Sequence, residues 1–168
     1  KDDKFHRSYN EKNWRILPRQ AVHDSSSVTY PVFTAIAAPE VQNKLNGDFA
    51  IIAGPYLQNL ATGGCELDYT LTFVSEKFIS MVFFGVLDEG EKEIFAKIPL
   101  NIDVQTGAQL ALGDVLNLRD ADLLPVLRLL TKKDKVDFSK GITESWYYNG
   151  TNFVFCQRSE TGEWLEAT

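Results

Sequence analysis

Three strand-length runs between residues 65 and 104 constrain the fold more than any other feature of the chain. Residues 65–74 (CELDYTLTFV) alternate, with Cys65, Leu67, Tyr69, Leu71 and Phe73 on one face and Glu66, Asp68, Thr70 and Thr72 on the other. That pattern predicts an antiparallel strand buried on one side and solvated on the other. Residues 78–87 (FISMVFFGVL) are apolar on both faces and read as a central strand. Residues 94–104 return to alternation, with Ile94, Ala96, Ile98, Leu100, Ile102 and Val104 pointing one way. Charged turns, Ser75-Glu76-Lys77 and the acidic stretch from Asp88 to Glu91, separate the runs at hairpin spacing. An antiparallel meander is the expected result.

A meander with one apolar face needs a cover, and residues 39–60 supply the best helix. Pro39 suits a first helical turn, where its missing N–H costs nothing, and Glu40 complements the helix dipole. Val41, Leu45, Phe49, Ile52 and Tyr56 recur at helical spacing. Gly54-Pro55 is expected to kink or interrupt the helix, because proline removes a hydrogen bond and crowds the preceding turn. Upstream, residues 1–13 read as a flexible polar leader, residues 14–17 as an edge strand ended by Pro18, and residues 28–37 as a strand whose Pro31 argues for an edge or a bulge. Downstream, Leu110, Leu112, Val115 and Leu116 lead into a shorter second helix. Residues 120–130 are apolar with an acidic start, and residues 132–135 form a charged loop. Asn149-Gly150 marks a hairpin between residues 146–148 and 153–157, and Thr161-Gly162 a last turn before Trp164 and Leu165. The expected fold class is α+β: residues 14–168 form one domain with a meander packed on one long amphipathic helix, plus a shorter helix.

Composition then narrows the function. Of 168 residues, 44% are apolar and 24% charged, which is globular rather than disordered. The net charge of −6 and the lack of a basic run disfavour nucleic acid; a cationic partner would be steered favourably, although acidity also serves solubility alone. No run approaches the roughly 20 apolar residues that span a bilayer. The polar start at Lys1 would suit a tether after a signal peptide or lipid anchor, so membrane association is expected only through such a segment. Cys65 and Cys156 are compatible with one disulfide or with two buried thiols.

Catalytic constellations are hard to find. The two histidines are His6, in the leader, and His23, next to Asp24 and Ser25. Adjacent loop residues do not align a nucleophile, a base and an orienting group, so this is triad composition without triad geometry. No nucleophile elbow, zinc-protease helix or phosphate loop occurs. Glu66 and Asp68 on a solvated face, with Asp88, Glu89 and Glu91 at a turn, form the candidate acidic partner-binding cluster. Paired carboxylates can serve glycoside chemistry or calcium, but the turn lacks the alternating ligands of an EF-hand. Asn149-Gly150-Thr151 fits a glycosylation sequon, which a hairpin turn explains equally. The sequence calls for no cofactor and no metal.

The order of the pieces resembles a known family. A Tyr30-Pro31 strand, the helix beginning PEVQNKLNGDF, the meander, and then Asn101, Asp103, Thr106, Gly107, Leu110, Leu112 and Asp114 in an N-x-D-x-x-T-G-x-x-L-x-L-x-D segment are similar to the extracytoplasmic domain of RsiV-type anti-sigma factors. That module type also precedes the catalytic domain of some peptidoglycan deacetylases and occurs in bacterial lipoproteins. The segment has a structural reading of its own: Asp103 and Thr106 bond the turn backbone, Gly107 takes a positive φ, and the leucines pack inward. Family members often carry a Gly-Gly-Ala-His-like loop, where this chain reads Gly85-Val86-Leu87-Asp88-Glu89-Gly90; the Tyr/Pro-rich C-terminal segment is also missing. The resemblance implies a non-catalytic binding or sensing module of the bacterial cell envelope, periplasmic or surface-exposed, whose ligand is a protein or a cell-wall fragment. Lysozyme recognition belongs to particular members. The alternative is an enzyme, or a wall-hydrolase accessory domain, working through the acidic cluster.

Overall fold

The computed structural model describes residues 6–10, 13–88, 90, 92–116, 145–158 and 163–168. A six-stranded sheet runs in the order β1 (Tyr9–Asn10), β2 (Arg15–His23), β3 (Ser26–Thr34), β4 (Cys65–Val74), β5 (Phe78–Asp88), β6 (Glu93–Asp103). A three-stranded sheet is built from β7 (Trp146–Tyr148), β8 (Phe153–Arg158) and β9 (Trp164–Ala167). Two helices, α1 (Pro39–Asn59) and α2 (Leu112–Leu116), complete the α+β architecture. The expected segments at residues 120–130 and 132–135, and the turn at Thr161-Gly162, lie outside the described residues.

The meander is present as read. β4 pairs antiparallel with β5 and β5 with β6, and the inward residues Leu67, Tyr69, Ile79, Met81, Phe83 and Ile102 are fully buried. α1 covers this face with Val41, Leu45, Phe49, Ala53 and Tyr56. The closest fit lies at Gly85, where a Cβ would sit 2.1 Å from the Tyr56 hydroxyl oxygen. Only glycine lets the helix approach the sheet there.

Phe73 does not join the inward face. The register slips between Leu71, opposite Met81, and Phe73, opposite Ser80. A bulge adds one residue and reverses the parity of the residues after it. Phe73 therefore turns to the other face, against Phe78 and Tyr148, with ring centroids 5.7 and 4.9 Å away.

Pro18 and Pro31 both sit inside strands. They face each other across the β2–β3 pair, so neither can donate to the ladder. The arrangement is tolerated because, among the described residues, no strand pairs with either of them on its far side at that level. β1 reaches only Arg15 and Ile16, and β4 pairs in parallel with only Ser27 and Val28. α1 also passes through Gly54-Pro55 to Asn59 without interruption, contrary to one form of the expectation. Ile51 and Pro55 lie on the exposed side, where solvent can satisfy the carbonyl that proline leaves unpaired.

The leader is corrected over residues 6–10. The Leu71 amide donates to the His6 carbonyl at 2.7 Å, the Tyr69 hydroxyl donates to the Arg7 carbonyl at 2.6 Å, and Arg7 Nε donates to Asp68 Oδ1 at 2.8 Å. β3 leaves β4 after Val28, and these residues close the open β4 edge beyond it. An unpaired edge amide is costly when shielded from water, which is why a polar segment is held there.

The disulfide alternative is also corrected. Cys65 and Cys156 are both free and buried. Cys65 lies on the α1 side of the meander, its Sγ donating to the Tyr56 carbonyl at 3.3 Å, whereas Cys156 belongs to β8 in the second sheet. The two thiols sit in separate structural layers.

Candidate functional site: a groove between the two sheets

The meander's outward face carries the candidate site. Strand register lines up Glu66, Val86 and Phe95 in one row across β4, β5 and β6, Asp68, Phe84 and Lys97 in another, and sets Asp88 opposite Glu93. The three-stranded sheet covers only the other end of this face. There, Ser80 donates its hydroxyl to Asn101 Oδ1 at 2.6 Å, Asn101 Nδ2 donates to the Trp146 carbonyl at 2.7 Å, and the Tyr148 amide donates to Ser80 Oγ at 2.8 Å. Trp146 is buried against Phe78. A chain of buried polar groups, each satisfied, fixes how one sheet sits on the other.

Where the second sheet stops, a groove opens. Two adjoining cavities of about 440 and 380 Å³ share Lys97 and Trp164. The first is walled by Pro99, Cys156, Gln157 and Arg158, the second by Glu66, Asp68, Phe84 and Phe95. Lys97 pairs with Glu166, which also accepts from the Tyr147 hydroxyl at 3.2 Å, and its Nζ lies 5.7 Å from the ring centroids of both Phe84 and Tyr147. Burial pushes the Lys97 pKa down, offset in part by Cys156. The Tyr147 hydroxyl and the Cys156 thiol are both pushed up by burial, so the thiol stays protonated at neutral pH and is a poor nucleophile. Gln157 Oε1 and Trp164 Nε1 are buried without a hydrogen-bond partner among the described residues.

The candidate carboxylates part company. Asp68 is committed: it accepts from Arg7, and its Oδ1 also accepts from the Tyr69 amide at 2.8 Å. It guards a strand edge. Glu66, Asp88 and Glu93 make no ion pair among the described residues, and Asp88 Oδ1 instead accepts from the Gly90 amide at 2.8 Å. Glu89 and Glu91 lie outside the described residues. Among the described residues no three His, Cys, Asp or Glu side chains converge to hold a metal ion. His23 and Asp24 are 3.5 Å apart in an exposed turn.

The turn motif is structural, as its residue types imply. Asp103 Oδ1 accepts from the amides of Gln105 at 2.8 Å and Thr106 at 3.3 Å, Thr106 Oγ1 accepts from Ala108, and Gly107 has φ +70°. Lys44 of α1 donates to the Gly107 carbonyl at 2.6 Å, tying turn to helix. Asp114 reaches back to the Ala111 amide at 2.9 Å and caps α2. Asn101 does something the motif did not announce, since its side chain joins the two sheets.

Phe84, Phe95, Lys97 and Trp164 are not among the site residues that the sequence suggests. The alternation that pointed Ile94 and Ala96 inward places Phe95 and Lys97 outward, so half of the groove was encoded there. Nothing local to Trp164 says that it meets Lys97.

A two-sheet α+β module, with a groove along the part of the meander face that the second sheet leaves uncovered, is the class that the fold defines. The sequence matches no protein-family model, and no curated protein matches it. Among solved structures, the fold is similar to that of a DUF3298 family protein from Bacteroides fragilis (TM-score 0.61, 12% identity, covering 97% of this chain and 91% of that one). It is also similar to a DUF3298 family protein from Pseudomonas aeruginosa (TM-score 0.54, 12% identity, 95% and 90% covered). At this identity the likeness shows a shared fold alone. Among the described residues, no helix is long and apolar enough to cross a membrane.

Proposed function

We propose that this chain is a non-catalytic binding module of a bacterial cell-envelope protein, and that it takes its ligand in the groove beside the second sheet. The observation that carries the reading is the groove itself: Phe84, Phe95 and Trp164 line it with Glu66, while Glu93 and Asp88 stand at its open end without ion-pair partners among the described residues. Aromatic faces beside unpaired carboxylates suit the apolar stems of cationic side chains, or sugar rings with their hydroxyls. The RsiV-type resemblance of the Asn101–Asp114 segment supports the envelope setting, and the DUF3298 fold is compatible with it. A protonated Cys156 and a committed Asp68 support a role without bond-making chemistry.

The test is calorimetric titration with hen lysozyme and, separately, with a muropeptide digest. Binding by either, weakened at least about tenfold in Glu66→Ala, supports the reading; no heat from either probe overturns it. The second reading, a wall-hydrolase accessory or enzyme, rests on Glu66 as the carboxylate in the groove without an ion pair among the described residues. Turnover of wall polymers that vanishes in Glu66→Gln would favour it.

A further inference from the structure

We propose that Asn149 is a self-modification site, at which the folded hairpin promotes its own conversion to aspartate and isoaspartate. The chain contains two Asn-Gly steps, Asn46-Gly47 and Asn149-Gly150, and the structure treats them oppositely. In this chemistry the Gly150 backbone nitrogen attacks Cγ of Asn149. An N–Cγ bond forms, the Cγ–Nδ2 bond breaks, and the side-chain nitrogen leaves as ammonia carrying the amide proton. Solvent water then opens the five-membered imide at either carbonyl, leaving an aspartyl or isoaspartyl residue.

Three features at Asn149 favour the attack. Both residues of the step are exposed, so water and hydroxide reach them. Gly150, at φ +92°, has no side chain to obstruct the approach to Cγ. Asn149 Oδ1 accepts hydrogen bonds from the amides of Thr151 at 3.0 Å and Asn152 at 2.8 Å. Negative charge develops on that oxygen as the nitrogen adds, and two oriented N–H donors stabilise it as an oxyanion hole does.

Asn46 is held in the opposite way. Its Oδ1 accepts from the Phe33 amide at 2.8 Å, and its Nδ2 donates to the Phe33 carbonyl at 3.0 Å, so the leaving nitrogen is held by β3. Gly47 lies within α1, where the geometry of attack would require unwinding the helix.

Conversion at Asn149 has a structural consequence. An isoaspartyl link lengthens the backbone within a tight turn, where Tyr148 pairs with Phe153 and the Tyr148 hydroxyl donates to the Gly150 carbonyl at 2.8 Å. Tyr148 also packs on Phe73, so the change loosens the attachment of the second sheet to the meander.

The experiment is peptide mapping by mass spectrometry, with enzymatic labelling of isoaspartate, on the folded chain aged in neutral and in mildly alkaline buffer. A parallel sample is held unfolded in urea. The expected result is conversion at Asn149 faster in the folded chain than in urea, and in the folded chain at least about tenfold faster than at Asn46, a barrier difference of about 1.4 kcal/mol. Both steps should react at similar rates once unfolded. Equal rates in the folded chain, faster reaction at Asn46, or an Asn149 that reacts no faster when folded than in urea would overturn the proposal.

Discussion

The two faces of the meander solve opposite problems. The inner face is closed and dry: α1 lies on it, Tyr56 sits over Gly85, and Leu67, Tyr69, Ile79, Met81 and Phe83 show no appreciable exposure. The outer face is closed at one end by the Asn101–Trp146 join and open at the other, where Phe95 remains 49% exposed beside Glu93 and Glu66. Packing saturates the first face, so side chains there are constrained by shape. The second keeps the Phe95 ring and the Glu66, Asp88 and Glu93 carboxylates exposed. Residues of that kind are where a binding role can be placed.

If the contrast is right, mutations should separate the two faces. The largest effect is expected at Gly85→Ala, whose new Cβ would meet the Tyr56 hydroxyl at 2.1 Å. Overpacking against a buried ring should cost about 3 kcal/mol in urea unfolding. A cost below about 1 kcal/mol would mean that the helix can retreat easily.

Asn101→Ala comes next, at about 2–3 kcal/mol, because it leaves the buried Trp146 carbonyl without its donor and the Ser80 hydroxyl proton without its acceptor. Hydrogen exchange should show the loss concentrated in β7 and β8 rather than α1.

Alkaline pH should act in the same direction, most strongly on the helix side. Burial raises the pKa of Tyr56 and Tyr69, so their contribution is complete below the ordinary tyrosine value of about 10 and is lost as pH rises beyond it. On the groove side Tyr147 behaves likewise, but Lys97, whose pKa is lowered, sheds its burial cost as it deprotonates and works against that loss. Melting temperatures should therefore fall above about pH 10, and Tyr56→Phe and Tyr147→Phe should each flatten the fall.

The smallest stability effect is expected at Phe95→Ser, within about 0.5 kcal/mol of wild type. The same substitution should weaken ligand binding, and a stability loss equal to that of Asn101→Ala would place Phe95 in the core instead.

How much of the fold and the groove was legible beforehand depends on which interactions are local. The meander and α1 were readable because alternation and helical spacing repeat over many residues, and the Asp103–Gly107 turn because its residue types bond within a few positions. The Phe73 reversal was hidden, since a bulge at Thr72 leaves no mark in composition. The strap at residues 6–10 depends on β3 parting from β4 after Val28, a consequence of topology that no local pattern in the leader encodes. Glu66 was correctly placed on a solvated face, but Asp68 was grouped with it because alternation cannot tell a free carboxylate from one gripped by Arg7 61 residues away. The groove needed two segments brought together, β6 and β9, and their meeting at Lys97 and Glu166 is long-range chemistry.

Whether the groove takes the ligand is read from ligand-induced changes in backbone amide NMR shifts, with hen lysozyme and a muropeptide digest as probes. Whichever probe binds is expected to perturb Glu66, Phe84, Phe95, Lys97 and Trp164 together, leaving α1 unchanged. Shifts centred on the outer side of α1 or on β2, with those five residues silent, would contradict it.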